Sequence, residues 1–156
     1  MHATYFESFL KAVAACPDRM GILGEEHLIF PPDPDYGYEA TPRNALTFGA
    51  MGVDGVHYAI LTTDGAVKDD SPVIQISPID SDAYAALAES FLGYLAHGCD
   101  ASATQMDAIF QQERSGRPTL VEFLRQHFDG TRFFDDSRYE ALARYLDFIE
   151  LKPGFE

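Results

Sequence analysis

A chain of 156 residues with 46% hydrophobic and 13% aromatic residues has the length and apolar content for one domain, residues 1–156, around a buried core. Its formal net charge of -14 is uneven: residues 1–113 carry 17 acids against 4 bases, and residues 114–156 carry 8 against 7. A field of that sign repels phosphate backbones, which argues against nucleic-acid binding, and it speeds association with a basic protein; solubility alone also accounts for an acidic surface.

Two cysteines, Cys16 and Cys99, are too few for a disulfide framework. The N-terminus lacks the basic start and continuous apolar run of a signal peptide, and no apolar stretch approaches the ~20 residues that cross a bilayer. A soluble, cytoplasmic protein without membrane contact is expected.

In chain order, Phe6, Phe9, Leu10 and Val13 form one apolar stripe, which predicts a helix from Thr4 to Ala15, closed by Pro17. Met20–Leu23 and His27–Phe30 read as short edge strands. The stretch Pro31–Arg43, PPDPDYGYEATPR, holds four prolines that forbid regular structure, and places Tyr36 and Tyr38 among Asp33, Asp35 and Glu39. Such a loop is either a plain connection or a binding loop, and tyrosine among acids is a protein-binding composition. Three runs follow, Ala45–Phe48, Val56–Leu61 and Pro72–Ile76, rich in β-branched or aromatic residues and separated by Asp54-Gly55 and Asp64-Gly65. They predict an antiparallel meander with tight turns. Ser81 is placed to cap a long helix to about His97, with Tyr84, Leu87, Ala88, Phe91, Leu92 and Leu95 as its stripe and Gly98 at its C′ position. Further helices are expected over Ala103–Gln112, after Thr119 (T-L-V-E) and after Ser137 (S-R-Y-E), the last two opened by capping boxes. Helix, then strands, then helices is the α+β pattern: a central antiparallel sheet, flanking helices and a helical C-terminal half.

The most motif-like string is Gly52 to His57. Asp54 and His57 are candidates for an acid–base pair or for metal ligation with His97 and Cys99, in a small metal-binding enzyme. Against that, turn geometry already accounts for Asp54-Gly55, a histidine in a last helical turn answers the dipole, and the spacings match no zinc signature. Phosphate-loop, dinucleotide and nucleophile-elbow patterns are absent, so no cofactor is expected.

The stretch 44–100 resembles the SUKH superfamily, which joins fungal regulators of cell-wall glucan synthesis of the Smi/Knr type to many bacterial proteins. The resemblance lies in Phe48, in Gly52-Val53-Asp54-Gly55-Val56-His57-Tyr58, in Pro72–Pro78 and in Phe91–Cys99. Relatives carry T-G-G-D-G-V-H-F, a P-V-V-x-x-x-P strand and a helix ending F-L-x-L-G-C, in this order and at similar spacing. Here Met51 replaces the Thr and Val53 the second Gly. The resemblance implies an α+β fold and, for many bacterial members, an immunity protein that neutralises a toxin encoded nearby; other members are scaffolds, and no catalytic triad is implied. The expectation is a non-enzymatic module that binds a basic protein, such as a nuclease-type toxin, through Asp33, Asp35, Tyr36, Tyr38, Glu39 and Asp54. The alternative is a regulatory scaffold.

Overall fold

The computed structural model describes residues 4–24, 26–133 and 136–155. One five-stranded sheet runs in sequence order, each strand antiparallel to the next: β1 (His27–Asp33), β2 (Ala45–Ala50), β3 (His57–Leu61), β4 (Val73–Ile76) and β5 (Tyr84–Ala88). The helices are α1 (Thr4–Ala14), α2 (Phe91–Gly98), α3 (Ala103–Arg114), α4 (Leu120–His127) and α5 (Asp136–Leu142), with 3-10 turns over Gly130–Phe133 and Ala143–Phe148. The protein is therefore α+β, with most of its helices in the C-terminal half. Among the described residues no helix is long and apolar enough to cross a membrane.

Every residue of β3 is buried, because both faces of the sheet are covered. Side chains alternate along a strand, so neighbours point to opposite faces. Tyr58 and Ile60 join Phe48, Val73 and Leu87 in the main core with the apolar faces of α1 to α4. Ala59 and Leu61 enter a second cluster with Ile74 and Ile76, closed by Leu146, Ile149 and Phe155. In the main core Phe91 takes Phe6 and Phe9 edge-on, at 4.9 and 5.0 Å between centroids, and Phe48 meets Tyr94 at 5.2 Å. Each such pair adds about 1 kcal/mol beyond the area it buries.

The expected turns are present. Asp54 and Gly55 have φ of 57° and 71°, and Asp64 and Gly65 have 53° and 77°. Around the second pair, Thr63 and Ala66 exchange both backbone hydrogen bonds, closing a two-residue hairpin.

Other expectations fail for identifiable reasons. No helix starts at Ser81: Tyr84–Ala88 is a strand, Ile74 facing Ala86 and Ile76 facing Tyr84, and it supplies partners for the β4 backbone that would otherwise be buried unpaired. The real cap of α2 is Ser90, whose Oγ accepts from the Gly93 amide at 3.0 Å. Gly98 is not C′ but the last residue of α2; the left-handed position falls on Asp100. Gly98 is needed for contact, since a Cβ there would lie 2.4 Å from the Phe128 ring. Met20–Leu23 forms turns rather than a strand, although Ile22 and Leu23 are fully buried. β1 continues through Pro31 and Pro32 to Asp33, as an edge strand tolerates residues without an N–H.

The capping box predicted at Thr119 does not form. Glu113 reaches across to accept from the Thr119 and Leu120 amides at 2.8 and 2.9 Å, while Thr119 makes no cap bond. Ser137 lies inside α5. The capping box present is Ser102 with Gln105, at the start of α3.

Candidate functional site

After β1 the chain does not leave the sheet but folds back over the end of β3. His57 is fully buried there. Its Nδ1–H donates to the Gly55 carbonyl at 2.7 Å, and its Nε2 then accepts from the Thr41 hydroxyl at 2.8 Å. Tyr36 and Tyr38 lie over the ring, at 4.7 and 5.4 Å between centroids. Burial lowers the His57 pKa, so the ring is neutral and fully bonded. Gly55 completes the contact: a Cβ there would sit 2.8 Å from the Tyr38 hydroxyl.

The C-terminal segment clamps the loop from the other side. Lys152 donates to the Tyr38 carbonyl at 2.9 Å and pairs with Asp35 at 3.0 Å. Tyr84 donates its hydroxyl to the Ala40 carbonyl. Asn44 donates to the carbonyls of Thr62 and Phe148 and accepts from the Glu150 amide, while the Arg43 amide donates to the Glu150 carbonyl. A stretch that reads as an irregular proline-rich connection is thus a pinned element.

The six residues expected to bind a partner converge at this end of the sheet, in differing states. Glu39 and Asp54 are exposed, and Tyr38 is 39% exposed. Asp35 is exposed but carries the Lys152 ion pair, whose ammonium holds its carboxyl below the usual range. Asp33 accepts from the Asp35 amide at 2.9 Å, and Tyr36 is half-buried against His57. The loop and the Asp54 turn meet where Tyr38 lies over Gly55, and together form one acidic surface.

The structure does not gather Asp54, His57, His97 and Cys99 into a centre. His97 closes α2, bonds the Arg132 carbonyl and packs on Phe133 at 4.9 Å. Burial pushes the Cys99 thiol up to about 12, so at neutral pH it carries no thiolate. Among the described residues no group of three or more His, Cys, Asp or Glu side chains is placed to hold a metal ion.

One polar group escaped the sequence reading. Glu26 is only 6% exposed, and its Oε2 accepts the Tyr94 hydroxyl at 2.7 Å. Tyr58 approaches the same carboxyl. Burial raises the Glu26 pKa to about 7, and the two tyrosine hydroxyls only partly oppose it. Burial and the nearby carboxyl raise the pKa of Tyr58 and Tyr94, so both remain donors. The available signal was indirect: two tyrosines at core positions of a strand and a helix each require a buried acceptor.

No family model, curated protein or solved structure matches the chain. The fold defines an α+β protein built on a five-stranded antiparallel meander, and its loop side defines a pinned acidic surface.

Proposed function

We propose that this protein is a non-enzymatic binding module of the SUKH type, an immunity protein that captures a basic, nuclease-type toxin in the cytoplasm on the surface formed by the Pro31–Arg43 loop and the Asp54 turn. The observation that carries this reading is the convergence of two segments that each carry an exposed acid, Glu39 and Asp54, on one rigid base: Tyr36 and Tyr38 on His57, with Tyr38 over Gly55. Glu39 and Asp54 supply negative charge that steers a cationic cleft towards the surface, and the exposed ring edge of Tyr38 supplies the apolar contact that holds it. Because the loop is already tied to β3 and to Lys152, little ordering is left to be done on binding. The strong acidic excess of residues 1–113 extends the same field.

The test is co-expression with the product of the neighbouring reading frame, using wild type and a Glu39→Lys, Asp54→Asn double variant. Asn is chosen because it tolerates the positive φ of position 54. A stoichiometric complex with a basic protein is expected, weakened about tenfold or more in the variant at unchanged thermal stability. A complex indifferent to both substitutions, or the lack of any basic partner, sinks the reading.

A further inference from the structure

On the other face of the sheet a cleft of about 510 Å³ opens above Glu26. Its walls are Met51, Val53, Tyr58 and Phe128, and Asp129 and Thr131 stand with Gly130 along one side. Three features set its chemistry. The walls are mostly apolar and include two aromatic rings. The carboxyl of Glu26 lies directly under Gly130: a Cβ at that position would come within 2.7 Å of Oε1, so a glycine there keeps the carboxyl uncovered. Asp129 is held ionised by the Thr131 hydroxyl and amide, at 2.7 and 3.0 Å, and adds a second negative charge.

Among the described residues the nearby cation is already engaged. Arg132, the cation that acts on Asp129, is paired with Asp100 at 3.3 Å. Tyr58 from β3 and Tyr94 from α2 face Glu26 as neutral donors, and beyond them Tyr139 acts on Tyr58 and Cys99 on Tyr94. His27 lies against Gly52, whose Cβ would meet its ring at 3.0 Å. A cation on an apolar stem satisfies this arrangement: the stem lies along Met51 and Val53, the charge meets the carboxylate, and the rings favour it further. Oε2 already accepts from Tyr94, which leaves Oε1 as the freer oxygen, and a single-point contact from a compact ammonium suits that better than the two-pronged pairing of a guanidinium.

We propose that this cleft is a socket for a primary alkylammonium group, and that its occupant is a lysine side chain of the basic protein bound by the neighbouring acidic surface. The identity of the carrier rests on the function proposed above; the ammonium chemistry rests on the cleft alone. The two sites share the β2–β3 connection, since Met51 and Val53 line the cleft while Asp54 and Gly55 belong to the acidic surface. Ammonium binding requires the ionised carboxylate, so it is opposed by protons: affinity rises with pH up to and through the Glu26 pKa of about 7 and levels off above it.

The test is a titration of the full chain, followed by amide NMR shifts of Met51, Val53, Gly130 and Thr131, with Nα-acetyl-lysine methylamide, its norleucine counterpart and cadaverine as probes. Saturable shifts are expected with the lysine probe, several-fold weaker at pH 6 than at pH 8, and at least fivefold weaker with norleucine in place of lysine, a gap of about 1 kcal/mol. Glu26→Gln should abolish the preference for the ammonium while keeping the Tyr94 bond. Gly130→Ala should reduce binding by covering the carboxyl without removing it. Equal binding of the two acetylated probes, an unchanged preference in Glu26→Gln, or the lack of saturable shifts overturns the socket. Binding of cadaverine without binding of the lysine probe makes the occupant a free amine and overturns the lysine assignment. None of these outcomes depends on the partner, so loss of the socket leaves the acidic-surface reading to its own test.

Discussion

At the start of β3, His57 and Tyr58 point to opposite sides of the sheet, and the polar clusters they join are built on different terms. On the loop side His57 is neutral, both ring nitrogens are bonded, and two tyrosines lie over it. That cluster is finished, and its role is to hold a loop in one shape. On the helix side Tyr58 and Tyr94 surround a carboxyl whose ionisation is balanced near neutrality and which faces a cleft. The histidine in the motif-like string is scaffold, whereas a glutamate in an unremarked turn is the group left with something to bind. Complete satisfaction marks a structural polar cluster, and a buried charge open to a cavity marks one with spare chemistry.

The largest effect that can break this contrast belongs to His57→Ala. It removes the ring under Tyr36 and Tyr38 and leaves the Thr41 hydroxyl and Gly55 carbonyl without partners, at a cost of about 3 kcal/mol in denaturant unfolding. The amides from Tyr36 to Thr41 should lose hydrogen-exchange protection together. A loss below about 1 kcal/mol means that the loop is not held by His57.

The pH dependence sharpens the contrast, because the two groups have opposite signs. Glu26 has a raised pKa, so its contribution is complete below the unfolded value near 4.5 and is lost as pH rises through about 7. The loss is on the order of 3 kcal/mol. His57 has a lowered pKa, so its contribution is present above about 6.5 and is lost as pH falls through the folded value. Above pH 6.5 only the Glu26 slope remains. Most of the Glu26 loss falls between pH 4.5 and 7, so wild type should lose a remaining ~1 kcal/mol between pH 6.5 and 8, and Glu26→Gln should not. Parallel curves for the two proteins would place the carboxyl in water.

Gly98→Ala acts on the helix side alone. The new Cβ meets the Phe128 ring and displaces one wall of the cleft, costing about 2 kcal/mol. Protection at Tyr38 should stay at the wild-type level; a fall there would mean that the two faces are coupled. The smallest effect is that of Lys152→Ala. The Asp35 end of its ion pair is fully exposed, so the unfolding midpoint should not move measurably, while proteolysis near Tyr38 becomes faster.

How far the sequence carried the reading depends on how local each interaction is. The Asp54-Gly55 and Asp64-Gly65 turns were legible because positive φ is a property of those residues themselves. Tyr84–Ala88 was not: its alanines suit a helix, and only pairing with β4, decided by the sheet, makes it a strand. The pinned loop was half legible. Tyrosine among acids pointed to a surface, but the clamps come from Asn44 to Glu150 and Lys152 to Tyr38, separated by 106 and 114 residues. Glu26 was invisible for the same reason. Nothing near it in the chain predicts that Tyr94, 68 residues on, and Gly130 will close over it.

The most direct test of the acidic surface is the association rate with the neighbouring frame's product, measured by stopped flow across a range of ionic strength. Surface charges steer over a Debye length of about 8 Å at physiological salt, so the rate should fall steeply as salt rises, and Glu39→Lys with Asp54→Asn should flatten that fall. A wild-type rate that is insensitive to salt would contradict the account.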